Sequence, residues 1–238
     1  PGVQQDAQEF FVSLVNSMQP CATNNATQEG PLCDMSYSHR AFNGLVRSTV
    51  RCYECGKISV TYEKVVDIGL SIPESVGSID AAMAHYVATE YIPDYRCDCY
   101  GKVVSARKTL ALHNAPSNLV LHLMRFEYAS LRSGTDKITK HIAFSDKLVL
   151  VGVGHASDDT SESPSRLAAR LSAVILQIGD SVGGGDYVCY VYPGASGDNW
   201  WLCDDGVVSR VSREEVLSQQ AYMLFFDTAC LNNDDDAV

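Results

Sequence analysis

Apolar positions open the chain with a helical rhythm. Ala7, Phe10, Phe11, Leu14, Val15 and Met18 recur at three- and four-residue spacing, which predicts a helix over 6–18. Asp6 with Glu9 three positions later has the form of a cap, and Pro20 ends the run. Residues 19–37 are rich in Asn, Thr and Ser and read as a loop. From residue 42 the rhythm changes to that of strands. The segments 48–51, 58–66 and 67–72 are β-branched and bounded by Cys, Gly and Pro. A short helix is predicted over 78–86, where Ile79, Met83 and Tyr86 share a face. Strands follow at 108–112 and 119–125, and the second is apolar on both faces. Leu148 to Val153 closes another strand, and the Ser- and Asp-rich stretch after it reads as a solvated linker over 151–167. Strands resume at 171–178, 187–192 and 200–203. A short helix at 212–219 and an apolar strand at 221–226 complete the pattern. The class is α+β with a large antiparallel sheet.

Composition narrows the function. The 238 residues, 46% hydrophobic and 20% charged, suit a globular core. No apolar run is long enough for a membrane helix. With 18 Lys and Arg against 29 Asp and Glu, the net charge of −11 argues against a nucleic-acid backbone as partner and fits protein partners. The cysteine count of nine is odd, which argues against a fully paired secreted framework. Pro1-Gly2-Val3-Gln4 is neither a signal peptide nor a translational start. The expectation is an intracellular chain with reduced thiols that lacks its own beginning. The acidic run in 229–238 reads as a disordered tail.

Two constellations could carry chemistry. Cys52-x-x-Cys55 and Cys97-x-Cys99 supply four thiolates in two close pairs on turns, the ligand set of a closed zinc site. Two unrelated pairs of reduced cysteines fit the same spacing. No βαβ pattern surrounds Cys52 and Cys55, which argues against a redox motif. The second constellation is Gly183-Gly184-Gly185-Asp186-Tyr187, followed by Trp200-Trp201 and Asp204-Asp205. Glycines before a strand admit a ligand close to the backbone, and a carboxylate at a strand end can orient a neighbour. A glycine-rich hairpin followed by an acidic turn is the plainer reading.

Several motifs, taken in order, resemble the ubiquitin-specific protease family. They are Gln4-Gln5-Asp6-Ala7-Gln8-Glu9-Phe10, Phe42-x-Gly44, Cys52-x-x-Cys55, Ile68-x-Leu70-x-Ile72-Pro73, Leu119-x-Leu121-His122-Leu123-x-Arg125-Phe126, Lys137-Ile138, Ala173-Val174-Ile175, Gly185-x-Tyr187, Trp200-x3-Asp204-Asp205 and Ala221-Tyr222-Met223-Leu224-Phe225. The resemblance covers residues 4–227. It implies a papain-like hand of thumb, palm and fingers, with residues 1–40 as a truncated thumb and 41–150 with 168–228 as fingers and palm. It implies cysteine-protease chemistry on ubiquitin's C-terminal amide, ubiquitin and other protein subunits as partners, and zinc held by Cys52, Cys55, Cys97 and Cys99. Tyr100 stands where the family's fourth cysteine falls. Asp6, Gly185 and Tyr187 take ubiquitin-binding positions, and Asp204 and Asp205 take those of the orienting acid.

The departures are informative. A thiol protease needs a thiolate, an imidazole and a group that orients the imidazole. The family's Asn-Thr-Cys-Tyr box lies upstream of the Gln-Gln-Asp stretch with which this chain starts, so no nucleophile is assigned. Cys189 and Cys203 read as core strand residues. Asp186 replaces the histidine of the family's Gly-His-Tyr motif, and a carboxylate is a poor base toward a thiol. His122 reads as a core residue, and His113 and His155 as loop residues. Gln177 and Ala169 replace residues expected in the cleft wall. The sequence therefore points to an inactive ubiquitin-binding module or scaffold. Its alternatives are the C-terminal part of an active deubiquitinase and a structural subunit that does not bind ubiquitin.

Overall fold

The structure, a computed structural model, describes residues 5–18, 37–99, 101–128, 135–151, 166–181, 184–194 and 199–228. In chain order the elements are α1 (Ala7–Ser17), α2 (Tyr37–Phe42), β1 (Gly44–Cys52), β2 (Ile58–Val65), β3 (Ile68–Leu70), α3 (Ile79–Tyr86), β4 (Glu90–Cys97), β5 (Lys102–Asn114), β6 (Asn118–Leu123), β7 (Phe126–Tyr128), β8 (Thr135–Lys137), β9 (Lys147–Val151), β10 (Arg166–Ser181), β11 (Gly184–Val191), β12 (Trp200–Asp204), β13 (Val207–Val211), α4 (Arg213–Leu217) and β14 (Met223–Asp227).

Eight strands form the larger sheet, ordered β13-β12-β11-β10-β14-β6-β3 with β9 also on β10. Its centre is apolar on both faces, as the run at 119–125 predicts. Leu119, Val120, Leu121 and Leu123 of β6 are all buried. Alternate residues serve two layers. One face packs with α3 and α4 into the main core, and the other receives α1. Phe11 and Val15 of α1 are buried there, and Phe11 meets Phe42 and Phe225 edge-on at 5.4 and 5.5 Å. Phe10, Leu14 and Met18 of the same stripe stay exposed. Among the described residues the helix packs through Phe11 and Val15, so the predicted face is half used.

The second sheet, ordered β2-β1-β5-β4, projects from this body. Val46 and Leu112 face each other in its β1–β5 register and enter the main core, which roots the projection. The large antiparallel sheet expected from the sequence is the eight-stranded one, with β3 alone joining in parallel, on β6, and a two-stranded β7-β8 ribbon is a third sheet among the described residues. The chain between β3 and β6, through α3, β4 and β5, is long enough for a parallel crossover.

Strand β4 escaped the pattern because Pro93 interrupts it and its side chains are mostly exposed. The structure accommodates the proline at a register shift between Ile92 and Tyr95, where the lost amide donor is tolerated. Strand β13 escaped as an exposed edge. Strand β10 begins at Arg166, inside the stretch expected to be linker. Most of that linker, the loop over 19–36 and the tail over 229–238 lie outside the described residues.

Candidate functional site

Glycines are required where β10 and β11 approach each other closely. Gly185 has φ +147°, and a Cβ there would lie 2.0 Å from the Ile178 carbonyl oxygen. Gly179 has φ +107°, and a Cβ there would lie 2.9 Å from the Gly185 Cα. This tight crossing sets Asp186 opposite Ile178 on β10. The Tyr187 amide donates to Asp186 Oδ1 at 2.8 Å. Strand β12 ends at Asp204, and Asp205 turns the chain with φ +46°. One carboxylate oxygen from each of Asp186, Asp204 and Asp205 lies within 4.8 Å of the others, and all three residues are exposed. The resemblance's base and orienting positions are thus brought together, as three carboxylates.

The described imidazoles with recorded partners sit elsewhere. The His141 ring faces the Gln219 carbonyl at 3.1 Å, and His113 packs on Tyr62. His122 Nδ1 is 3.9 Å from Asp67 Oδ2, and the ring meets Tyr222 edge-on at 4.8 Å. Burial lowers its pKa, against the raising influence of Asp67 and Asp6.

Asp6 is the hub of a second cluster. Its Oδ1 accepts from the amides of Gln8 and Glu9 at 2.8 and 3.1 Å, which caps α1. Its Oδ2 accepts from the Tyr222 hydroxyl at 2.6 Å and the Tyr187 hydroxyl at 3.3 Å. Burial first, and then Asp6's charge, push the Tyr187 phenol up to about 12 and the Tyr222 phenol upward as well. Gln8 Nε2 donates to Asp67 Oδ2 at 3.1 Å, which ties the helix start to the His122 pair. Sequence reading named Asp6 and Tyr187. It missed Tyr222, whose place in an apolar strand gave no sign that its hydroxyl turns toward α1.

The thiolates meet at the tip of the smaller sheet. Sulfurs of Cys52, Cys55 and Cys97 lie within 4.8 Å of one another, and Cys55 Sγ is 3.5 Å from Cys97 Sγ. Cys52 ends β1, Cys55 lies in the turn closed at Gly56 (φ +69°), and Cys97 ends β4. A tetrahedral zinc with Zn–S near 2.3 Å sets its sulfurs roughly 3.8 Å apart, so three ligands fit. The Lys57 amide lowers the Cys55 thiol, yet desolvation and the Cys97 and Cys52 thiols together hold it at about 11. A metal would remove those protons and relieve the crowding. Cys99 is exposed and stands outside this trio, and Tyr100 lies outside the described residues.

Two other expectations change. Ala169 is buried in the main core opposite Leu148, so its small side chain bears on packing and not on a cleft wall. Gln177 is buried on β10, its Nε2 donating to the Ile178 carbonyl at 3.0 Å. Cys189 and Cys203 are half-buried and directly opposite each other on β11 and β12. Burial, then Cys203, push the Cys189 thiol to about 11.

Comparison with known proteins places this geometry. The family described as ubiquitin carboxyl-terminal hydrolase matches residues 1–226. A probable ubiquitin carboxyl-terminal hydrolase 16 of Schizosaccharomyces pombe is 32% identical over 228 residues, covering 94% of this chain and 47% of that protein. A human ubiquitin carboxyl-terminal hydrolase 17-like protein 13 is 31% identical, with coverage of 94% and 41%. Among solved structures, a chain of the SAGA Ubp8/Sgf11/Sus1/Sgf73 DUB module bound to ubiquitin aldehyde superposes with a TM-score of 0.78 at 27% identity, covering 94% of this chain and 49% of that one. The same module with a substituted Ubp8, bound to monoubiquitin, gives 0.77 at 28% identity, with coverage of 94% and 48%. The chain thus spans about half the length of these relatives.

Proposed function

We propose a function from one premise: this chain belongs to the ubiquitin carboxyl-terminal hydrolase family. Within that family it acts as a ubiquitin-recognition domain without hydrolytic turnover, in an assembly with other protein subunits. The observation that carries this reading is the acidic corner of Asp186, Asp204 and Asp205. Thiol hydrolysis needs a base that takes the thiol proton and then stands as an imidazolium beside the thiolate. A carboxylate is a far weaker base than an imidazole, and Asp186 would set a negative charge against a thiolate. Asp204 and Asp205 would orient an imidazole well, but at Asp186 they meet a like charge.

Recognition is supported by what persists. Gly185 keeps the tight crossing of β10 and β11, and Asp6 and Tyr187 remain joined across the α1–β11 boundary. Cys52, Cys55 and Cys97, with Cys99 as the candidate fourth ligand, would hold a structural zinc that fixes the tip of the smaller sheet. The solved neighbours are a ubiquitin-bound module of several subunits, which supports ubiquitin and protein partners here. An intracellular setting is part of this reading, from the odd count of nine cysteines. Among the described residues no helix is long and apolar enough to cross a membrane.

Calorimetric titration of the chain with mono-ubiquitin tests the reading. Binding tighter than about 100 μM, roughly 5.5 kcal/mol, is expected. It should weaken in Asp6→Asn, which keeps the helix cap and removes the charge. A fluorogenic ubiquitin amide should show no turnover, even in a version extended upstream to include a Cys box. Turnover that vanishes on Asp186→Ala would favour the active-enzyme alternative. A folded chain that ignores ubiquitin would favour the purely structural one.

A further inference from the structure

We propose that Cys189 and Cys203 form an oxidisable dithiol that closes into a cross-strand disulfide, stapling β11 to β12 beside the acidic corner. The two residues are direct partners in the antiparallel register, flanked by Tyr190 opposite Leu202 and Val191 opposite Trp201. Directly opposed residues of such a ladder have Cα atoms about 4.5–5.5 Å apart, inside the roughly 4.4–6.8 Å that a disulfide spans. Their side chains leave the same face of the sheet. Both thiols are free and half-buried, so an oxidant as small as hydrogen peroxide reaches them. The other four described cysteines lie at the tip of the smaller sheet, so the pair does not compete with the candidate metal ligands.

The chemistry balances with a peroxide as oxidant. The Cys203 sulfur attacks the O–O bond as its thiolate and becomes a sulfenic acid, releasing hydroxide. The Cys189 thiol gives up its proton as its sulfur attacks the sulfenic sulfur, and the expelled hydroxide takes a proton as the S–S bond forms. Two thiols and one peroxide give one disulfide and two waters. The consequence is local. Strand β11 carries Asp186 and strand β12 ends at Asp204, so a bond between them fixes the distance across the acidic corner. This inference stands whether or not the chain binds ubiquitin.

Peptide mapping of the purified chain tests it. The protein is treated with hydrogen peroxide, its remaining thiols are alkylated, and the digest is read by tandem mass spectrometry. The expected product is a peptide pair joined through Cys189 and Cys203, lighter by two hydrogens than the reduced pair. Dithiothreitol should restore both alkylation sites. Slower amide exchange along β11 and β12 should accompany the bond, and Cys203→Ser should lose both signals. Three results would overturn the proposal: both cysteines still alkylated, both carried to separate sulfinic acids, or either joined to a different cysteine.

Discussion

The Asp6 carboxylate accepts from two amides of α1 and from two tyrosine hydroxyls, so one side chain sets both the helix start and its seat on the sheet. Asp6→Ala removes the cap and leaves the Tyr222 hydroxyl without its acceptor. Each loss is of order 1–2 kcal/mol, and urea unfolding should show a summed destabilisation of about 2–4 kcal/mol. Asp6→Asn should recover most of it. His122 gives a pH dependence. Burial depresses its folded-state pKa below the ordinary 6.5, so the unfolded chain binds the proton first. Stability should be full above about pH 6.5 and fall as pH drops from there toward the folded-state value. His122→Gln should flatten that part of the profile. A profile unchanged by the substitution would remove His122 as the cause.

At the scale of elements, the smaller sheet depends on its ends. Its root is apolar, where Val46 and Leu112 enter the core, while its tip is held by the crowded thiols of Cys52, Cys55 and Cys97. Strand β2 is exposed along nearly its whole length and packs little of its own surface. A metal held by those three thiols would compensate for that lack of burial. In protein loaded with zinc, a strong chelator should speed amide exchange at the β1–β2 turn and at the end of β4. The β6–β14–β10 centre of the larger sheet should stay protected, and Cys55→Ser should mimic the chelator. Equal loosening of both sheets would contradict this division.

For the whole molecule, the two sheets share one core, and this makes them unfold together once the root fails. Leu112 is buried at that junction. Leu112→Ala should cost about 2–5 kcal/mol by removing buried methyls and leaving a cavity. Circular dichroism and the fluorescence of core Trp200 should report one coincident transition. Separate transitions would mean that the sheets are independent bodies. Arg125 ties segments together just past the end of β6 in the larger sheet. It is almost fully buried and donates to the carbonyls of Ala221, Ile138 and Lys140, pinning three chain segments at once.

Local order was legible in the residues. The periods of 3.6 and 2, the stops at Pro and Gly, and the cap at Asp6 yield α1, α3, α4 and most of the larger sheet, because these signals act within a few residues, and the structure adds Ser78 and Ser212 as the caps of α3 and α4. Motif resemblance singled out Asp186, Asp204 and Asp205 from distant stretches of sequence, and the structure brings their carboxylates within 4.8 Å of one another. Three things needed the folded chain. Strand β4 exists because a register shift absorbs Pro93, and a single strand carries no information about its partner. The parallel entry of β3 and the division of the strands into separate sheets follow from how distant strands pair. The Asp6–Tyr222 bond joins positions 216 residues apart, and the Cys189–Cys203 pair meets across a hairpin register. Which segments become helices and strands follows from short-range sterics and amphipathic burial, and both are written in neighbouring residues. Which side chains meet follows from long-range pairing, which the local pattern does not encode.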